Sequence, residues 1–165
     1  MREKRGDMRT SKLPVYAFFF MLTAFAAFLG SMFGVDSSNE WYQNLYKPAI
    51  VPPEIVFATV WPILYILIAL SGARIYLSKG KNRSTAMNLW GAQLIVNALF
   101  SPLFFGLKSP ILGFIDTLIL FVLLVLLLLK TFDLDRRSFY FLIPYFLWVG
   151  FAMTMAFLIM IHPFS

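Results

Sequence analysis

A few aromatic, amide and acidic side chains in otherwise apolar surroundings are the residues of this sequence best suited to chemistry. Trp90, Gln93, Asn97, Ser101 and Phe104 recur at three- and four-residue spacing, so a helix would put them in one stripe on one face. Gln93 and Asn97 each offer an amide with two donors and an acceptor. Two readings are open for them: hydrogen bonding between membrane helices, or contact with a planar ligand beside the tryptophan and phenylalanine. A second stripe runs Tyr145, Trp148, Ala152 and then Met155 or Ala156. Ala152 leaves space one turn beyond an indole, for a ligand or for a closely packed neighbour. Phe57, Trp61 and Tyr65 form a third face. The three faces can close round one cavity, and ordinary core packing is the competing reading.

The ionisable groups are sparse. Asp116 is the one acid well inside an apolar run. Ionised and unpaired it would be costly there, so pairing with a base, a retained proton or a bond to an amide is expected. Glu54 follows Pro52-Pro53 and suits the N-terminal end of a helix dipole. His162 is the only histidine and lies near the chain end, and there is no cysteine. Thiol chemistry, thiolate metal sites and iron–sulfur clusters are thereby excluded, and no metal site is expected. No nucleophile–base pair, phosphate loop or pair of catalytic carboxylates is evident, which disfavours the usual hydrolytic chemistries.

The elements that position these residues are set by composition. Of 165 residues 60% are hydrophobic and only 13% charged, with a mean hydropathy of +0.78. Soluble domains average about 25% charged residues. The surface of this chain is better matched to lipid than to water. Five apolar stretches, about 14–34, 53–77, 85–106, 109–130 and 138–162, each approach the roughly 20 residues that span a hydrocarbon core. The expected fold is therefore all-α: a single transmembrane domain, 1–165, of five helices. Ser84 or Thr85 can cap the third helix and Asp135 or Ser138 the fifth. Gly106, followed by Ser109 and Pro110, reads as a glycine stop and a serine–proline start. So short a link makes the third and fourth helices antiparallel.

Charge sets orientation. The net charge of +6 is no nucleic-acid signal, because the bases cluster between apolar runs. Arg2, Lys4, Arg5, Arg9 and Lys12 precede the first helix. Arg74, Lys79, Lys81 and Arg83 surround the second connection, and Lys130, Arg136 and Arg137 the fourth. The other two connections have only Lys47 and Lys108. Lys and Arg favour the cytoplasmic side. A multi-pass protein of the cell membrane is expected, with a cytoplasmic N-terminus and the C-terminus outside. The first apolar run is too long for a signal-peptide core and reads as an uncleaved helix. The loop at about 35–52 is the one long connection. Trp41, Tyr42 and Tyr46 make it either a lid or a set of headgroup anchors. No internal repeat is evident, which disfavours an inverted-repeat transporter.

These residues together form a recognisable pattern. Trp41-Tyr42, Leu45, Lys47-Pro48, Pro52-Pro53, Phe57, Val60-Trp61 and Leu64-Tyr65 resemble the signature of the translocator protein family. That family includes the bacterial tryptophan-rich sensory proteins and the mitochondrial peripheral benzodiazepine receptor. The match continues through Trp90, Gln93-Leu94, Asn97, Ser101-Pro102, Phe104-Phe105-Gly106, Asp116, Pro144-Tyr145, Trp148 and Phe151-Ala152. The resemblance implies a five-helix bundle that is usually a homodimer, with a pocket lidded by the first loop. It implies Tyr42, Pro52, Trp61, Asn97, Trp148 and Ala152 as ligand-binding residues, with Gln93 and Asp116 as supporting polar groups. Ligands implied are tetrapyrroles such as protoporphyrin IX and haem, sterols in some members, and benzodiazepine-site compounds. Three departures stand out. Ile50 replaces a loop tryptophan, Met155-Ala156 replaces a Leu-Asn pair, and the C-terminal sterol motif is missing, which makes cholesterol a poor candidate.

The function expected is thus a membrane receptor or sensor for tetrapyrroles, held by shape and stacking, with the bilayer and a second copy as partners and no required cofactor. A light-dependent porphyrin-degrading enzyme, with Trp61 and Trp148 as candidate catalytic residues, and a porphyrin or lipid transporter are the alternatives.

Overall fold

The computed structural model describes residues 12–33 and 40–162. Its elements are α1 (Leu13–Ser31), a short α2 (Glu40–Gln43), α3 (Glu54–Leu77), α4 (Arg83–Ser101), α5 (Pro110–Leu134) and α6 (Arg136–Ile161). A π-helical turn, Pro102–Gly106, extends α4. With that extension, five helices are long and apolar enough to cross a membrane, and the fold of the described residues is all-α, without strands. The helix limits differ a little from those expected: α5 runs on to Leu134 and α6 begins at Arg136. The N-terminal tail and residues 34–39, the first part of the proposed lid, lie outside the described residues.

The long helices close a ring in the order α1, α3, α6, α5, α4, with α4 returning to α1. At one end α3 and α4 also touch across the middle. There the Trp90 indole fills the centre. Its Nε1 donates to the Ile68 carbonyl at 3.0 Å and to Ser71 Oγ at 3.2 Å, and Phe19 of α1 meets its ring edge-on at 5.0 Å. Gly72 makes this contact feasible, since a Cβ there would stand 2.5 Å from Trp90 Cε2. The same end carries a polar clasp. Arg74 grips both Asp135 oxygens at 2.8 Å. Asp135 in turn caps α6, accepting from the Ser138 amide at 3.0 Å and its hydroxyl at 2.6 Å. One carboxylate thus ties α3 to the α5–α6 corner, and Arg74 holds the Asp135 carboxyl well down, to about 2.

Local signals explain most helix ends. Ser109 caps α5 by accepting from the Leu112 amide at 3.3 Å, with Pro110 at the first position. Asp135 fills that role for α6, as one of the two expected caps. One expectation is corrected. Asn82, not Ser84 or Thr85, precedes α4, and it makes no side-chain cap. Gly106 ends the helix as expected, as the last residue of the π turn, and among the described residues Lys108 takes the positive φ, 52°. Pro102 supplies the reason, because it has no N–H for the α-helical ladder. The chain widens to a π turn, with Leu107 donating to the Pro102 carbonyl at 2.9 Å and Ser109 to that of Phe104 at 3.1 Å, and reverses two residues after the glycine.

The clasp yields a pH-dependent prediction. Asp135 is more acidic folded than unfolded, so its contribution is complete above about pH 4 and lost as pH falls through about 2. Asp135→Ala removes cap and ion pair together and should cost about 2–3 kcal/mol. Thermal midpoints in detergent should fall at neutral pH, and the gap from the unaltered protein should narrow towards pH 2. A gap independent of pH would contradict the ion-pair assignment.

Candidate ligand cavity

Away from the Trp90 plug the helices part around a cavity of about 500 Å³. Its walls follow from the helical register. On α3, Phe57, Trp61 and Tyr65 lie one turn apart and all face inward. The C-terminal half of α4 contributes Asn97, Phe100 and Ser101, and the π turn adds Phe104 and Phe105. Trp148, Ala152, Met155 and Ala156 come from α6, Thr117 and Leu120 from α5, and Ala27 and Gly30 from α1. Gly113 of α5 packs directly on the Phe104 ring, which lets α5 approach the π turn.

The polar groups inside are mostly engaged with one another. The Tyr65 hydroxyl donates to Asn97 Oδ1 at 2.8 Å, and Asn97 Nδ2 donates to the Tyr145 hydroxyl at 2.8 Å. This chain joins α3, α4 and α6 across the bundle. Trp148 Nε1 is different, being buried with no partner. The Trp148 ring meets Phe57 edge-on at 5.5 Å, and Trp61 and Tyr65 lie 5.6 Å apart at a shallow 32°. On its other side Trp148 borders a lipid-facing groove with Ile63, Leu147 and Phe151.

The first loop covers the mouth. Leu45 and Pro48 are buried, Trp41 packs on Phe104 at 5.7 Å and Tyr42 on Phe105 at 6.0 Å. Tyr46 meets His162 at 5.7 Å. The Tyr42 phenol is pushed above its usual range by burial, then by the nearby Glu54.

All six residues singled out as ligand-binding, Tyr42, Pro52, Trp61, Asn97, Trp148 and Ala152, line this one cavity. The two supporting polar residues do not. Gln93 and Asp116 are buried elsewhere, and both Gln93 amide atoms and Asp116 Oδ2 lack hydrogen-bond partners. Among the described residues Gln93 forms no interhelical side-chain bond and Asp116 Oδ2 has no partner. The α4 stripe is therefore divided: Trp90 belongs to the plug, and only Asn97, Ser101 and Phe104 reach the cavity. Sequence reasoning missed Phe100, Phe105, Thr117 and the part played by Lys47 and Glu54 at the rim. The helical repeat from Asp116 gave no means of choosing Thr117 over it.

A ring of membrane-spanning helices round an aromatic chamber, capped by a folded loop, defines a multi-span helical membrane protein with an internal cavity. The TspO/MBR family model matches residues 18–161, and the chain belongs to that family. It is 36% identical over 121 residues to tryptophan-rich protein TspO of Bacillus cereus, covering 73% of this chain and 78% of that one. Tryptophan-rich sensory protein of Cereibacter sphaeroides is 32% identical, over 67% of this chain and 68% of its own. Translocator protein of Bos taurus is 26% identical over 81% of each.

The hydrogen-bond chain is testable by itself. Asn97→Leu strands the hydroxyls of Tyr65 and Tyr145, each at about 1–3 kcal/mol. The thermal midpoint should drop, and adding Tyr65→Phe should recover part of the loss by removing one stranded group. Additive losses would mean that the two side chains are not coupled.

Proposed function

We propose that this chain is a membrane receptor or sensor that binds tetrapyrroles, protoporphyrin IX above all, inside the helix ring. The observation that carries this reading is that Trp61 and Trp148, from helices far apart in sequence, line one chamber with Phe57, Tyr65 and Phe104. A volume of about 500 Å³ falls in the range of small-molecule sites, about 300–1,000 Å³. Flat aromatic walls suit a flat macrocycle, and each aromatic contact adds about 0.5–1.5 kcal/mol beyond area burial. The unpartnered Trp148 N–H offers a ligand acceptor one hydrogen bond. His162 packs on Tyr46 and is not part of the lining. Binding by shape and stacking therefore needs no iron–imidazole bond, and metal-free porphyrin is as good a ligand as haem. By the distribution of Lys and Arg, the covered mouth faces away from the cytoplasm.

Relatives named sensory and translocator proteins support a role in detecting or handling a small molecule. A second reading, light-driven breakdown of the bound porphyrin, draws on the same two indoles at one cavity.

Protoporphyrin IX should quench tryptophan fluorescence saturably at micromolar concentration, about −8 kcal/mol. Trp61→Phe with Trp148→Phe should weaken binding by about tenfold, since stacking area and the indole donor are both lost. Because these changes also remove two fluorophores, affinity is best read from the porphyrin absorption band. Unchanged affinity in the double variant would exclude this chamber as the site. Illumination of the complex separates the second reading: porphyrin absorbance lost equally with both phenylalanines in place would remove an indole-based mechanism.

A further inference from the structure

The cavity interior carries no free charge, but its rim does. Lys47 and Glu54 are the charged residues of the lining, both exposed. Lys47 is held in position rather than trailing in solvent. Its neighbours Leu45 and Pro48 are buried, Pro48 fixes the backbone that follows, and the turn beyond it closes with Val51 donating to the Pro48 carbonyl at 2.9 Å. The ammonium group stands 4.7 Å from the centroid of the Tyr42 ring. No carboxylate lies within ion-pairing distance of it among the described residues, where the ion pair formed is Arg74–Asp135. Glu54 lies near Tyr42 as well, close enough to act on its phenol.

A charged group on a ligand would meet no cation inside the chamber, where the unpartnered donor is the neutral Trp148 N–H. Asn97 is already bonded to two tyrosines, and a charge without a charged partner in apolar surroundings is costly. The favourable place for it is the rim, where Lys47 is the cation of the lining. We propose that Lys47 is the specificity residue for a carboxylate on the ligand: the apolar body fills the chamber, one carboxylate meets the ammonium over Tyr42, and Glu54, at the same rim, opposes that approach. This rests on the tetrapyrrole reading, and it identifies the acid form of the macrocycle, with its propionate side chains, as the preferred species over neutral esters.

The test compares protoporphyrin IX with its dimethyl ester on the full chain in detergent. Lys47→Gln should weaken the acid by about fivefold to tenfold, the size of a partly solvated ion pair, and leave the ester within about twofold. Lys47→Arg should keep the acid affinity, and Glu54→Gln should tighten the acid without changing the ester. Raising salt from about 0.05 to about 0.5 M should weaken the acid in the unaltered protein and not in Lys47→Gln. Equal losses for acid and ester would show that Lys47 merely holds the loop, and no loss for the acid would show that it does not touch the ligand. Either result overturns the proposal while the tetrapyrrole reading stands. If neither ligand binds the unaltered protein saturably, that reading fails, and the role of Lys47 fails with it.

Discussion

The shape of this molecule turns on one indole. Trp90 crosses from α4 to α3, donates to the carbonyl of Ile68 and packs closely against Gly72. Hydrocarbon gives no hydrophobic drive for helix association, so packing and hydrogen bonds must supply it. Trp90 supplies both in one contact. Because the contact fills the ring at one end only, five helices of ordinary width leave space at the other. The chamber is the far side of a well-packed plug, and it owes its existence to where the bulky residue falls on α4. The Arg74–Asp135–Ser138 clasp reinforces that end, and the loop covers the opposite one.

The chamber itself is polar in a disciplined way. The central amide, Asn97, spends both kinds of its hydrogen-bonding capacity on tyrosines from two other helices. That arrangement serves architecture first, since it fixes three helices at the depth where a ligand would lie. The donor left over belongs to Trp148, and the charge belongs to the rim. On the proposed reading the interior receives an aromatic body and discrimination is left to the entrance.

Much of this was legible in the sequence. The membrane requires about 20 apolar residues per crossing, so helix number and approximate limits follow from composition. The inward faces of α3 and α6 follow from helical spacing, because Phe57, Trp61 and Tyr65, or Trp148 and Ala152, are separated by whole turns. The single stripe on α4 misled, since one face of a long helix meets different neighbours along its length: Trp90 meets α3, and Asn97 meets a void. Arg74 and Asp135 are 61 residues apart, and no local pattern announces such a pair. Gly106 marks the helix end as its type suggested, but nothing in the sequence announced the π turn that Pro102 opens or the positive φ at Lys108. Gln93 and Asp116 were singled out for their cost in lipid, and they remain buried beyond the cavity walls.

The order of helices round the ring has a consequence for how the protein is made. α6, synthesised after the other four long helices described, lies between α3 and α5 rather than at the end of the row. Until it inserts, the earlier helices form an open trough with one wall missing. Trp148 and Ala152 arrive with α6, and so does Tyr145, the partner that completes the Asn97 chain. A nascent or truncated chain lacking α6 is thus a membrane protein without a closed compartment, and any capacity to retain a guest begins only once α6 is in place.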